Sequence, residues 1–278
     1  MILLEKMNQE KSFSETEKNI IDYILKHQNQ IADMTIHQLA QETYSSNATI
    51  IRMCQKLGFK GYRQFKIHFI QEVESTKYLA DTVDFNTPFH GLENTDEMIY
   101  KMASLYKESI DLCLQRINSR DIDHICQTIM KSKRLFIYAT GDTMITVKGF
   151  MNKLMKLNIY PILASENHEE HASSYNVTRD DCVLFMSYDL KSKQFLECLH
   201  ILKTKGAPII TMTANVDSPI TKMSHYRLLI ARKETDYKIA TFYSQFVFEF
   251  ILNILYSTIY AYDYQKNHKH KKSIDMLK

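Results

Sequence analysis

The stretch Thr35–Phe59, TIHQLAQETYSSNATIIRMCQKLGF, decides how the first part of the chain folds. It contains two apolar patterns at helical spacing, separated by the polar letters T-Y-S-S. The first pattern begins with T-I-H-Q, a capping-box sequence, and predicts a helix over 35–42. The second predicts a helix over 47–57, and Gly58 stands where a left-handed residue would end it. Two short helices joined by a tight turn are expected.

The second of these helices has the residue types that DNA reading requires. We assign its inner face to Ala48, Ile51 and Leu57, which leaves short polar side chains at the front. Between residues 43 and 71 there are five basic residues and no acidic one, and duplex DNA attracts such a face by counterion release. The alternative is a solvated helix face with a chance basic bias. The predicted DNA contacts are Thr35, Ser46, Asn47, Thr49, Ile50, Arg52, Lys56, Lys60 and Arg63.

The neighbouring sequence completes a small helical domain. Ser14 begins a second capping box, S-E-T-E, and predicts a helix over 15–27; the partly basic segment 59–69 adds aromatic side chains. The residues from 13 to 69 resemble the N-terminal helix-turn-helix of RpiR-type transcriptional regulators, through FSETEKNIIDYIL, TIHQLAQE and SNATIIRMCQKLGFKGYRQFK. The resemblance implies operator binding as a dimer. That family usually has Gly-Val in the turn, where Tyr44 and Ser45 stand here.

The composition limits the kinds of binding surface, cysteine chemistry and membrane segment that the chain can have. The chain has 278 residues, 45% of them hydrophobic, and a net charge of only +3, so any DNA-binding surface must be local. Five cysteines without a CxxC pair predict buried free thiols rather than disulfides or a metal site. The apolar segment 242–262 carries Gln, Glu and Asn, which argues against a membrane span. We expect a cytoplasmic protein without a membrane segment.

After residue 134 short apolar runs alternate with helical patterns. The predicted strands are 135–139, 160–164, 182–187, 208–213 and 226–230. This order predicts a five-stranded parallel sheet in a three-layer α/β sandwich, behind an all-α helix-turn-helix domain. The predicted divisions are a DNA-binding domain at 1–76, a linker at 77–95, an α/β domain at 96–266 and a solvated basic tail at 267–278.

Parallel sheets bind ligands at the carboxyl ends of their strands. The predicted effector-binding residues there are Thr140, Gly141, Asp142, Thr143, Ser187, Tyr188, Asp189 and Ser192. No GxGxxG or GxxxxGK[ST] motif follows a strand, so no nucleotide cofactor is expected. The letters H-E-E-H at 168–171 are interpreted as a pocket rim rather than a metal site.

The segment from about Arg134 to Tyr262 resembles a SIS (sugar isomerase) domain through RLFIYATGDT, KLMKL, DDCVLFMSYD and KTKGAPIITMTANVDSPI. The resemblance implies binding of phosphorylated sugars. The family's second loop usually reads S-x-S-G-x-T, and here Asp189 and Leu190 stand for a phosphate-binding Ser and a Gly. Lys191 or Lys148 could compensate for the added carboxylate. Otherwise the ligand is less anionic, or the pocket serves only dimerisation.

The sequence as a whole predicts a non-enzymatic transcriptional regulator of carbohydrate metabolism, controlled by a sugar-phosphate-type effector. Its expected partners are double-stranded operator DNA, the effector, and a second copy in a homodimer or dimer of dimers. Two alternatives stay open. One is a sugar-phosphate isomerase or lyase, with Glu166, His168 or Glu234 as acid–base residue. The other is a regulator whose SIS-like domain only dimerises.

Overall fold

The computed structural model describes residues 3–9, 13–79 and 83–275. These residues form two compact units, each made of two segments. The first unit contains the described residues up to 79 together with 93–101, and the second contains 83–92 together with 102–275. The segment 83–92 therefore belongs with the second unit, although it falls inside the predicted linker. The predicted domain boundaries themselves stay predictions.

The first unit is built from helices. They are α1 Leu3–Gln9, α2 Glu15–Lys26, α3 Gln28–Ile31, α4 Ile36–Glu42, α5 Asn47–Lys56 and α6 Tyr62–Leu79. α2, α4 and α5 begin and end within one residue of the sequence prediction. α1 was not predicted, and α6 continues well beyond the predicted segment 59–69.

Both predicted capping boxes are confirmed. Ser14 Oγ accepts a hydrogen bond from the backbone N–H of Glu17, and the Glu17 carboxylate accepts one from the Ser14 N–H at 2.7 Å. Thr35 and Gln38 form the same reciprocal pair at the start of α4. The boxes satisfy N–H groups that a helix N-terminus leaves without a partner, and so they fix where α2 and α4 begin.

The inner face of α5 differs from the prediction. Ile50, Met53 and Cys54 are each 0% exposed, whereas Ala48 is exposed and Ile51 is 37% exposed. The inward assignment of Ala48 and Ile51 is therefore wrong. The sequence offers two apolar stripes at helical spacing, and packing against α2, α4 and α6 selects the one with more apolar surface.

The turn between α4 and α5 places a tyrosine in the left-handed region. Tyr44 has φ 48°, its N–H donates to Gln41 O at 3.2 Å, and the next N–H, of Ser45, donates to Ala40 O at 2.9 Å. This is a Schellman motif, in which the left-handed position is usually glycine. Gly58 takes that position after α5, with φ 96°. The tyrosine side chain is 98% exposed, so packing within its unit does not offset the backbone strain.

We predict that Tyr44→Gly raises the free energy of unfolding by about 0.5–1 kcal/mol. Relief of left-handed strain, about 1–2 kcal/mol, exceeds the cost of glycine's greater freedom in the unfolded chain. Denaturant unfolding of the full chain, followed by circular dichroism, measures the change. Tyr44→Ala is the matched control, because it removes the ring and keeps the strain. A glycine variant no more stable than the alanine variant would contradict the prediction.

The second unit is organised around one parallel sheet. Its strands are β1 Leu135–Tyr138, β2 Ile162–Leu163, β3 Cys182–Met186, β4 Ile209–Thr213 and β5 Tyr226–Leu229, in the order β2-β1-β3-β4-β5. Every pairing is parallel. The order confirms the predicted five-stranded sheet, and the carboxyl ends of all strands lie along one edge.

Both faces of the sheet are covered. In β1, Leu135 and Ile137 belong to one apolar cluster, and Phe136 and Tyr138 to a second on the opposite face. Helices cover both faces, which confirms the predicted three-layer sandwich. The remaining helices are α7 Thr95–Leu114, α8 Ser119–Lys131, α9 Asp142–Met155, α10 Glu170–Tyr175, α11 Lys193–Leu202, α12 Pro219–Met223, α13 Phe242–Tyr262 and α14 Tyr264–Asp275, with a 3-10 turn at Glu166–His168. Of these, α7 begins in the first unit and continues into this one.

The described part of the predicted basic tail is largely exposed to solvent. Residues 264–275 form helix α14, and Asn267 Nδ2 donates to Tyr260 O of α13 at 3.0 Å. The basic run is therefore helical through its described part. Among the described helices none has the length and apolar content needed to cross a membrane.

The cysteine prediction is confirmed. All five cysteines are free and buried. Burial raises the pKa of Cys54 to about 12 and that of Cys113 to about 11, so these thiols stay protonated at neutral pH.

Candidate functional site

A hydroxyl network orders the front of α5. Ser46 caps the helix: its Oγ accepts from the Thr49 N–H at 3.2 Å and lies 2.9 Å from Thr49 Oγ1. Arg52 Nη2 donates to the same Thr49 oxygen at 3.3 Å. Ser46 and Arg52 are exposed, so the structure holds a guanidinium beside two hydroxyls on the outer face of the helix.

α5 is also tied to α4 through polar side chains. Asn47 Nδ2 lies 2.9 Å from His37 Nδ1. His37 was not among the predicted site residues, because the pairing joins residues ten apart and leaves no local pattern. Thr35 is exposed at the start of α4, and its N–H donates a hydrogen bond to Gln38 Oε1. Polar side chains therefore face outward from both α4 and α5.

The five basic residues of this region fall into two groups. Arg52, Lys60 and Arg63 are exposed and form no ion pair with a described acidic residue. Lys56 Nζ lies 2.6 Å from Glu17, and Lys66 Nζ donates to the backbone carbonyls of Ala32 and Met34, after α3, at 3.0 and 3.2 Å. Three of the five charges are therefore free to face a polyanion.

One predicted DNA contact is corrected. Ile50 is fully buried in the core of the first unit, so its side chain cannot reach a base edge. The exposed positions around it are Ala48, Ile51 and Gln55. Small and apolar side chains there suit contact with thymine methyl groups in a major groove.

The Glu17 carboxylate links α2 to α5 in a buried position. Burial raises its pKa, but hydrogen bonds from Lys56 Nζ and from the Ser14 N–H and hydroxyl outweigh that effect and leave the pKa below 4.5. A carboxylate with a lowered folded-state pKa stabilises the fold above its unfolded pKa. That stabilisation is lost as the pH falls through the folded value.

We predict that Glu17→Gln lowers the free energy of unfolding by about 1–3 kcal/mol at pH 7, the range for a buried charged hydrogen bond. The deficit should shrink as the pH falls through the lowered folded-state pKa of Glu17, because the wild-type side chain then becomes protonated and neutral as well. Unfolding measured from pH 7 to pH 3 tests this. Glu15→Gln is the control, since Glu15 is exposed and pairs only with Lys18. An equal deficit at both ends of the range would refute the assignment.

A cavity of about 230 Å³ lies at the carboxyl edge of the sheet. It collects predicted residues from the loops after β1 and β3, and further residues from the β5–α13 loop and from α13. The lining residues are Thr140, Asp142, Thr143, Ser187, Tyr188, Asp189, Glu234, Lys238, Thr241, Ser244 and Gln245. Six of the eight predicted effector residues are thus brought to one pocket.

The other two predicted effector residues, Gly141 and Ser192, lie at the N-caps of helices α9 and α11. Gly141 takes φ 57° at the N-cap of α9, a conformation that favours glycine. Ser192 caps α11: its Oγ accepts from the Phe195 N–H at 3.4 Å and donates to Gln194 Oε1 at 3.0 Å. Neither residue lines the cavity.

Tyr188 joins two sides of the pocket. Its hydroxyl accepts hydrogen bonds from the N–H groups of Lys233 and Glu234, each at 2.7 Å. Burial raises the pKa of Tyr188, so the phenol stays neutral at physiological pH. Since it connects the β3 loop to the loop after β5, displacing its ring would move both loops.

The carboxylates of the pocket are already partnered. Glu234 accepts from the N–H and hydroxyl of Ser244 at 2.8 and 2.7 Å, and Lys238 Nζ lies 3.6 Å away. Asp142 Oδ2 accepts from the Thr241 hydroxyl at 2.7 Å. These contacts fix the β5–α13 loop against the strand ends.

Asp189 is held by two cations. Its Oδ1 lies 2.6 Å from Arg232 Nη2, and its Oδ2 lies 3.8 Å from Lys191 Nζ. Leu190 follows at φ 45° with its side chain 1% exposed in the core. Although leucine replaces the family's glycine, the loop keeps the left-handed conformation that glycine usually provides.

Apart from Glu234, which lines the pocket, the residues considered as a metal or catalytic group lie elsewhere. His171 Nε2 is 3.0 Å from Glu197, and Glu166 pairs with Lys148 at 3.1 Å. The described residues contain no group of three or more His, Cys, Asp or Glu placed to hold a metal ion. Neither His168 nor Glu166 lines the pocket.

Sequence reasoning missed Arg232, Lys238 and Thr241. Arg232 follows β5 closely, so the strand-end rule that selected the other loops would also have selected it. Lys238 and Thr241 reach the pocket from a loop without regular structure, and no sequence spacing predicts that path.

Comparison with known proteins agrees with this architecture, a helix-turn-helix unit joined to a parallel α/β domain with a pocket at the strand ends. Residues 1–76 match the family model for the helix-turn-helix domain of the rpiR family, and residues 128–256 match that for the SIS domain. An uncharacterised HTH-type transcriptional regulator of Clostridium perfringens is 28% identical over 93% of this chain and 92% of its own length. One of Haemophilus influenzae is 21% identical over 89% and 86%.

Two solved structures have a similar fold. The Vibrio vulnificus NanR protein, complexed with ManNAc-6P, has a TM-score of 0.59 at 18% identity, covering 99% of this chain and 97% of that one. The sugar isomerase domain of an RpiR transcription factor from Sphaerobacter thermophilus has a TM-score of 0.54 at 14% identity, covering 63% of this chain and 97% of that one.

The chain belongs to the RpiR-type transcriptional regulators with an N-terminal helix-turn-helix domain and a C-terminal SIS domain.

Proposed function

We propose that this regulator controls genes of carbohydrate metabolism, binding operator DNA as a dimer and responding to an effector of the sugar or sugar-phosphate type. The observation that carries the DNA-binding part is the outer face of α5, where Arg52 is held by the Ser46–Thr49 hydroxyls with Lys60 and Arg63 exposed nearby in sequence. Phosphate contacts from the basic residues would position the protein, and Arg52 would read a base edge in the major groove.

The pocket supports the effector part. It lies at the strand ends, where parallel sheets bind ligands, and its cavity of about 230 Å³ is below the usual range for drug-sized ligands, so it suits a small molecule. Hydroxyl and amide side chains predominate among its uncharged lining residues. A structural neighbour bears ManNAc-6P, which motivates testing carbohydrates first.

The segment 83–92 offers a route from the pocket toward the first unit. Asn86 Oδ1 accepts from the N–H of Thr235 at 2.6 Å, and Asn86 Nδ2 donates to Lys233 O at 3.2 Å. The Ile239 N–H donates to Asn86 O at 2.9 Å. The β5–α13 loop that lines the pocket is thus hydrogen-bonded to the segment that leads into residue 93 of the first unit.

An aromatic contact anchors the same segment. The Phe85 ring is buried 5.0 Å from Tyr243 at an edge-to-face angle, and Lys233 Nζ lies 5.2 Å from the Phe85 ring centre. An effector that moved Lys233 and Glu234 would therefore disturb both anchors. It would regulate DNA binding by favouring one arrangement of this segment over another, since only differential affinity shifts the populations.

We predict that Arg52→Ala weakens operator binding by about 1–3 kcal/mol, the loss expected for a base-reading arginine. The duplex can be selected by the wild-type protein from a random pool, and affinity measured by mobility-shift titration at fixed salt. Arg179→Ala is the matched control, because Arg179 is an exposed arginine of the second unit. Unchanged affinity of the Arg52 variant would remove Arg52 from the readout set.

A further inference from the structure

We propose that the pocket takes an uncharged polyhydroxyl ligand, an unphosphorylated sugar or sugar derivative, because the Asp189 carboxylate occupies the place of a ligand's anionic group. This inference rests on the proposed function only in treating the pocket as the effector site. It narrows the effector class from sugar or sugar phosphate to the unphosphorylated form.

The first support is the clamp on Asp189. Arg232 and Lys191 are the cations nearest this loop, and both point at the Asp189 carboxylate, at 2.6 and 3.8 Å. A phosphate entering here would meet Arg232 already paired with a carboxylate at 2.6 Å. The protein thus supplies its own anion at this corner of the pocket.

The charge of the lining is the second support. Asp142, Asp189 and Glu234 line the cavity, and the one lining cation, Lys238, lies 3.6 Å from Glu234. Apart from Asp189, whose charge Arg232 and Lys191 offset, the lining holds two carboxylates against one ammonium, and this excess disfavours a phosphate dianion because like charges repel in a partly desolvated site. An uncharged ligand meets no such penalty.

The third support is a set of available polar groups. The side chains of Thr140, Thr143, Ser187 and Gln245 line the cavity and make no side-chain hydrogen bond to any other described residue. Three hydroxyls and an amide provide both donors and acceptors. Sugar hydroxyls use both donors and acceptors, so this set fits a polyhydroxyl ligand.

The loop backbone can be tested separately from the carboxylate. Asn215 Nδ2 donates to Asp189 O at 2.8 Å, and Ser218 Oγ donates to Leu190 O at 3.2 Å. Both anchors hold backbone oxygens, and Leu190 is fixed by its buried side chain. Replacing the Asp189 side chain therefore leaves the loop in place and releases Arg232 and Lys191.

The decisive experiment compares wild type with Asp189→Ser in inorganic phosphate at 10 mM, by thermal shift and by isothermal titration. The serine variant should bind phosphate at least about tenfold more tightly than wild type and gain the corresponding stabilisation. Asp189→Asn, which is nearly isosteric, should also bind phosphate more tightly than wild type. It controls for a folding defect in the serine variant. Asp217→Ser removes an exposed carboxylate of a neighbouring loop and should bind phosphate no more tightly than wild type.

The outcomes decide the proposal. Equal phosphate affinity in wild type and both Asp189 variants, or no binding by any of them, would overturn the claim that Asp189 fills an anion site. The claim would also be overturned if N-acetylmannosamine 6-phosphate stabilised the wild-type protein more than N-acetylmannosamine does. Because none of these measurements uses DNA, their failure leaves operator binding untouched, and loss of the proposed DNA reading would appear only in the Arg52 titration.

Discussion

The parallel pairing of β1, β3, β4 and β5 is the constraint on which the second unit depends. It places the carboxyl ends of these strands along one edge, so loops distant in sequence meet there. Tyr188 then ties the β3 loop to the β5–α13 loop through two backbone N–H groups. The same loop holds Asn86, so the pocket and the segment leading to the first unit share one set of hydrogen bonds.

Among the described turns that keep a left-handed backbone without glycine, those at Tyr44 and Leu190 are stabilised differently. Leu190 has φ 45°, and its buried side chain gains apolar burial that offsets the strain. Tyr44 has φ 48° and is almost fully exposed, so no such gain applies. In both places the backbone keeps the left-handed turn although the residue departs from the family pattern.

Much of the fold follows from local sequence. Capping boxes at Ser14 and Thr35 placed α2 and α4 to within a residue, and unbroken apolar runs predicted the five strands of the sheet. The face of α5 could not be predicted, because two apolar stripes fit one helix. The Glu17–Lys56 pair could not be predicted either, since it joins residues 39 apart. The sequence places Lys191 beside Asp189, and the strand-end rule would have selected Arg232, but the pairing of Arg232 with Asp189 joins residues 43 apart and is seen only in the tertiary structure.

Coupling between the two units is the central claim, and linkage makes it measurable without knowing the effector. If the pocket influences DNA binding, then DNA binding must influence the pocket by the same free energy. Hydrogen exchange of the full chain, with and without a duplex selected from a random pool, tests this directly. Coupling through this loop should alter exchange at the N–H groups of Lys233, Glu234, Thr235 and Ile239 when DNA binds. Changes confined to residues 35–69 would contradict it.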